Sequence, residues 1–261
     1  MTDSSIEDVE TIDLGDMDQA EWNEYAMAQG WSDGFPLVMP AEASVERFLD
    51  TVRGDNEPIP AMSPRRVIPT LPVMAANAVM AGCRPEYFPA VLAATRAVLN
   101  PEYNLHGSLA TTHSCAPMLL VNGPIRKELD VNCSSNCFGQ GRQANATIGR
   151  ALQLILTNVG GAKPGIMDRS TQGSPAKYAF CFGENEEESP WEPFHVRRGF
   201  AAEDSVVTAM PTEAPHNIND HASTSGIGIL TTIAGTISQP GANAIYCNAP
   251  IFLILGPEHA Q

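Results

Sequence analysis

The 261-residue chain carries 30 acidic residues against 15 basic ones, a formal net charge of −15, and is 43% hydrophobic but only 17% charged. This balance excludes a basic nucleic-acid-binding face, and no apolar run reaches the length that crosses a bilayer. The acidic start is neither a secretion signal nor a transit peptide, so a cytoplasmic protein is expected.

The acidity is unevenly placed: 12 acids precede the first basic residue, Arg47. Residues 1–20 therefore read as a flexible acidic arm, and 21–261 as a single α/β domain near neutrality. Trp31-Ser32-Asp33-Gly34-Phe35-Pro36 reads as a turn with aromatic anchors, leading into the apolar run Leu37-Val38-Met39. Ser44 is placed to cap a short helix with Val45, Phe48, Leu49 and Val52 inward, closed by Gly54. Residues 55–70 are Pro-rich and irregular. Helices follow over about 72–81 and from Pro85 to Leu99, the second burying Phe88, Val91, Leu92, Thr95, Val98 and Leu99. A strand is expected at 117–122, closed by Gly123-Pro124. The clearest helix has Ile148, Ala151, Leu152, Ile155, Leu156 and Val159 on one stripe, begins near 144–147 with Asn145 and Thr147 as caps, and ends on Gly160-Gly161. Further strands are expected at 178–182, 206–210 and 251–255, with a Gly- and Thr-rich helix at 223–238.

A repeat is visible: Ala116-Pro-Met-Leu-Leu-Val-Asn-Gly-Pro124 is matched by Ala249-Pro-Ile-Phe-Leu-Ile-Leu-Gly-Pro257, with Cys115 and Cys247 upstream. Two pseudo-repeated helix–strand units, about 72–162 and 201–261, predict a layered α/β fold with a mainly parallel sheet. The second unit stops after its strand, so its missing helix is expected from another chain, a second protein subunit.

The residues with chemistry cluster beside these strands. Gly139 and Gly141 form a Gly-x-Gly turn feeding the long helix, whose N-terminal N–H groups and positive dipole end suit an anion. With Arg142 and Asn145 beside them they are expected to bind a small anionic or polar substrate. Cys137 at the same helix end is expected to have a lowered pKa and to act as a thiolate. The glycines at 139, 141 and 149 do not make the dinucleotide fingerprint, so no nucleotide cofactor is expected. His106, His113 and Cys115 lie just before a core strand, and His113 and Cys115 point the same way on an extended chain. With Cys133 or Cys137 they are candidates to bind a transition metal (zinc, copper or iron) or to form a His–Cys nucleophile pair. The competing reading is a packed thiol among polar loop histidines. Cys133 and Cys137 are also a candidate redox pair. His216 and Asn217 open a second polar cluster, ending at His221, that pseudo-symmetry would turn to the same cleft; such residues are equally ordinary turn material. Glu184 or Glu186 is a candidate general acid/base, or a clamp for Arg142.

Several stretches are similar to the UGSC-type (seleno)protein family, distantly like selenoprotein B of glycine and proline reductases. They are 77–87 (NAVMAGCRPEY), 121–125 (VNGPI), 138–150 (FGQGRQANATIGR), 184–193 (ENEEESPWEP) and 255–259 (LGPEH). The namesake Sec-Gly-Ser-Cys, or its Cys version, does not occur in this chain. The resemblance implies thiol-type reductive chemistry, and a remaining piece supplied by a separate subunit. Residues and resemblance together lead to one expectation. The chain is a subunit of a cytoplasmic enzyme that uses a cysteine thiolate, a His/Cys-bound metal, or both, to cleave or reduce a small anionic or polar substrate. The alternatives are a metal-dependent lyase or hydratase without redox chemistry, and a non-catalytic small-anion or metal-binding subunit.

Overall fold

The apolar run after Cys115 becomes the central strand of a three-stranded sheet. The computed structural model describes residues 9–246 and 250–261; the first eight residues of the acidic arm, and Cys247 and Ala249 of the second repeat copy, lie outside them.

The acidic segment leads into α1 (Gln19–Ala28), which opens with a capping box: the Asp18 side chain accepts from Ala20 and Glu21 N–H groups, and Glu21 accepts from the Asp18 N–H. Leu14 and Met17 pack against the core, so this part of the arm is anchored. Trp31 packs against Trp22, tilted, and against Tyr25, edge-on, in an aromatic cluster. Helix α2 (Glu42–Asp50) buries Val45 and Phe48, but Ser44 lies inside it; Ala41 is the N-cap and makes no side-chain cap bond.

Helix α3 (Leu71–Met80) ends before Gly82, whose φ is +83°. A 3-10 turn at Pro85–Tyr87 starts α4 (Phe88–Leu99), and α5 (Leu105–Ala110) follows after Asn104, which caps it from the left-handed region. Strand β1 (Ala116–Asn122) is buried at all seven positions. Gly123, at φ +81°, turns the chain into the single-turn α6 (Ile125–Glu128). Helix α7 (Gln143–Asn158) carries the expected stripe, with Ile148, Ala151, Leu152, Ile155 and Leu156 buried, and Arg142 stands at its N-cap without a side-chain bond. Strand β2 (Cys181–Gly183) is followed by the four-residue α8 (Phe194–Arg197) and by β3 (Val206–Thr212).

The sheet corrects the expectation of a mainly parallel fold. Its order is β2-β1-β3. The β1–β2 pair is parallel, with Leu119 opposite Cys181. The β1–β3 pair is antiparallel, with Ala116 opposite Thr212 and Asn122 opposite Val206. The parallel step is made through a long helix, α7, as parallel pairing requires. The connection from β2 to β3 holds only the one-turn α8, so it forms no second helix–strand crossover. The fold is a small mixed sheet within a larger set of helices, with α3, α4 and α7 packed on one another, α7 against β2 and α4 against β3.

The chain divides into two compact units: residues up to Glu184 with Phe194–Ala214, and Asn185–Pro193 with Pro215–Gln261. β3, expected in the second repeat unit, thus belongs to the first. The second unit contains α9 (Gly226–Ile237), α10 (Asn243–Tyr246) and α11 (Pro257–Ala260). Residues 251–255, expected as the last strand, form no strand. Ile251, Leu253 and Ile254 are exposed, so an apolar run of strand composition has no ladder partner to order it.

Candidate thiol site at the end of the parallel pair

β1 ends in Asn122, β2 runs directly into Glu184, and these two polar residues meet. Gly123 permits the turn that closes β1: a Cβ there would lie 2.0 Å from the Asp204 carbonyl oxygen. The turn swings Arg126 back over the strand ends, where it is 3% exposed. Its guanidinium donates from Nε to the Gly123 carbonyl (3.2 Å), from one terminal nitrogen to the Glu184 carbonyl (2.7 Å), and from the same nitrogen toward Cys133 Sγ (3.7 Å). Glu184, directly after β2, donates its own N–H to the Val121 carbonyl. Its carboxylate accepts from Asn122 Nδ2 (2.6 Å) and from the Phe194 N–H (2.7 Å).

The loop that carries both cysteines is tied down from α7. Buried Asn145, in the first turn, accepts from the Asn132 N–H (2.8 Å) and donates to the carbonyls of Asn132 (3.1 Å) and Cys137 (3.2 Å). Asn132 in turn accepts from the Ser134 N–H through its side chain and from the Gly183 N–H through its carbonyl. A Cβ at Gly183 would stand 3.0 Å from Cys133 Cβ, so β2 runs directly under Cys133. Phe138 leans on Phe180 and Phe182, closing the loop onto the strand.

The other expected site residues have the following surroundings. Asn145 spends its amide on holding the loop. Arg142 is exposed and paired with Asp130 at 2.9 Å. The arginine that meets Glu184 is Arg126. The Gly139 N–H is donated to the Asn136 carbonyl, so it is not offered to an anion; Gly141, at φ +129°, serves the turn. Cys137 does not gain a lowered pKa from the helix end: burial pushes its thiol up, and neighbouring Cys133 adds to the rise. Burial likewise pushes up Cys115, and takes the core thiols Cys83 and Cys181 to about 12.

His113 and Cys115 stand at the other end of β1. Seven residues of strand span about 23 Å, so these two do not join Cys133, Cys137 or Glu184. His113 Nε2 is 3.2 Å from Glu213, which follows β3. His106 shares a 2.8 Å hydrogen bond with Ser63. Among the described residues no group of three or more His, Cys, Asp or Glu side chains is placed to hold a metal ion. Of the expected ligands, Cys133 thus lies apart from His113 and Cys115, at the opposite end of β1. His216 and Asn217 are exposed residues of the second unit. Asp220, in the same cluster, accepts from the Ala222 and Ser223 N–H groups and the Thr232 hydroxyl, which hold its carboxyl well below the usual range. This cluster is the turn that precedes α9.

Sequence reading missed Arg126, Asn122 and Asn132. The available signal was position: each follows or ends a predicted strand, where α/β folds gather polar groups. No family model, curated protein or solved structure matches the chain. Among the described residues no helix is long and apolar enough to cross a membrane.

Proposed function

We propose that the chain is a subunit of a thiol-dependent enzyme acting on a small polar or anionic substrate, with Cys133 as the reacting thiol. The observation that carries this reading is the buried Arg126 guanidinium directed at Cys133 Sγ. A cation aimed at a half-buried sulfur is the environment in which cysteines react as nucleophiles. Cys137, four residues away on the loop that Asn145 pins, is the candidate second thiol, and Glu184 orders the strand ends around it. The resemblance to UGSC-type proteins points toward the same thiol chemistry. A cytoplasmic setting suits the free thiols. A second protein subunit is part of the reading: α9 is almost wholly apolar, yet only Ile233 on it is buried.

A brief iodoacetamide pulse at neutral pH, read by peptide mass mapping, tests the assignment. Cys133 is expected to label first, well ahead of Cys83, Cys115, Cys137 and Cys181. Arg126→Lys is expected to slow that labelling while the circular dichroism spectrum stays native. If Cys133 labels no faster than Cys137, the thiol reading fails and the non-catalytic binding subunit becomes the better account.

A further inference from the structure

We infer that a cavity at the C-terminal end of α7 is a binding site for a small anion with a short apolar body. The cavity has a volume of about 320 Å³ and is lined by Pro64, Arg65, Gly161, Lys163, Ile166 and Met167. It lies at the opposite end of α7 from the cysteine loop, and 16 helical residues at 1.5 Å each separate the two ends by about 24 Å. It is thus independent of the thiol site.

Two cations converge on this cavity, and neither has an acidic partner among the described residues. Arg65 donates to the Asn158 carbonyl at 3.1 Å, and Lys163 to the Gly30 carbonyl at 3.3 Å. Each of these bonds uses one donor of a group that has five or three. In a chain of net charge −15, two basic groups side by side without a carboxylate are a local reversal of the prevailing field. The backbone is shaped to let them lie there. Gly161, at φ +81°, passes beneath Arg65: a Cβ would stand 2.6 Å from its Nε. Gly30, at φ +70°, passes beneath Lys163: a Cβ would stand 3.1 Å from its Nζ. Side chains at 30 or 161 would push the cations off the cavity wall. Pro64, Ile166 and Met167 supply the apolar part, and Ile166 is 66% exposed at the mouth. A planar guanidinium and an ammonium beside an aliphatic wall suit a carboxylate or phosphate group carrying a short aliphatic chain.

The test uses the full chain, with butyrate, inorganic phosphate and chloride titrated at constant ionic strength by calorimetry. Saturable binding of butyrate or phosphate at one site per chain is expected, with chloride inert. Butyrate binding more tightly than phosphate identifies a carboxylate ligand; the reverse identifies a phosphate. Arg65→Met and Lys163→Met should each weaken binding about tenfold or more. Ile166→Asp leaves both cations and the core untouched, and should abolish binding by placing a carboxylate at the mouth. Iodoacetamide labelling of Cys133 should be the same in every variant, which separates this site from the thiol reading. No saturable binding to the wild-type chain, or equal binding by Ile166→Asp and the wild type, overturns the inference.

Discussion

At the scale of single residues, the cysteine loop depends on one amide. Asn145 makes three hydrogen bonds to the backbone of Asn132 and Cys137 from a site 4% exposed. Asn145→Ala leaves buried N–H and carbonyl groups without their partner, at a cost of about 1–3 kcal/mol, readable as a lower midpoint in urea. The same variant should raise alkylation at Cys137, because the loop that buries it is no longer held. In the wild type, Cys137 labelling should go on accelerating as pH rises past 9, since burial holds its thiol protonated above the ordinary range. A rate that levels off below pH 8.5 would contradict this.

Acid sensitivity is also set by single residues. Arg96 donates from two nitrogens to Asp55, at 2.7 Å each, and holds that carboxyl below its ordinary value. A carboxyl depressed in the folded state stabilises the fold at pH values above the unfolded pKa, near 3.8, and loses that contribution as pH falls through the lower folded value. Asp55→Asn should therefore lower the thermal midpoint at pH 6 and narrow its gap to the wild type as pH drops below 3.8. Sequence reading had no access to this pair, nor to Arg126 and Cys133. Both join residues that only the folded chain brings together, and neither arginine belongs to a motif.

At the scale of elements, the chain was most legible where one residue stripe had to face one core. The spacing on α7 named its buried face correctly because a 3.6-residue period leaves few alternatives. β1 was equally clear, since a strand buried on both faces reads as a continuous apolar run. Leu152, 1% exposed on α7, gives the matching prediction. Leu152→Ala should cost about 2–5 kcal/mol through lost burial and the cavity left behind, measured by denaturant unfolding with an unchanged slope. Strand direction was not legible. The segment 206–212 has the composition of a strand in either orientation, and its antiparallel course is fixed by pairing along the whole of β1. The repeat misled for a related reason: 251–255 copies the apolar pattern of β1 without the neighbours that turn such a run into a strand. The Gly-x-Gly turn before α7 was legible as a turn, but not that the Gly139 N–H would be donated to the Asn136 carbonyl within the loop.

At the scale of the whole molecule, charge and apolar surface are segregated along the chain. Acidic residues crowd the N-terminal segment, while residues 222–257 contain no Asp, Glu, Lys or Arg at all. Within that stretch Ile227 is 77% exposed, Leu230 56% and Tyr246 72%. A helix that is apolar on nearly every side is normally covered, and exposed apolar area of this kind marks association surfaces. Association through α9 with the proposed second subunit has a direct consequence for the chain purified alone. It should self-associate as its concentration rises, because the apolar surface has no other cover. Light scattering coupled to size exclusion should show a mass that grows with loading. Substituting Ile227→Glu and Leu230→Glu together should return the mass to about 28 kDa, the mass of one chain, without lowering the thermal midpoint, since neither side chain contributes to a buried core. The same double variant should fail to retain any subunit that copurifies with the wild type. A wild-type chain that stays at a single-chain mass at every loading, and retains no subunit, would remove α9 as an association surface and leave the thiol and anion sites to be explained within one chain.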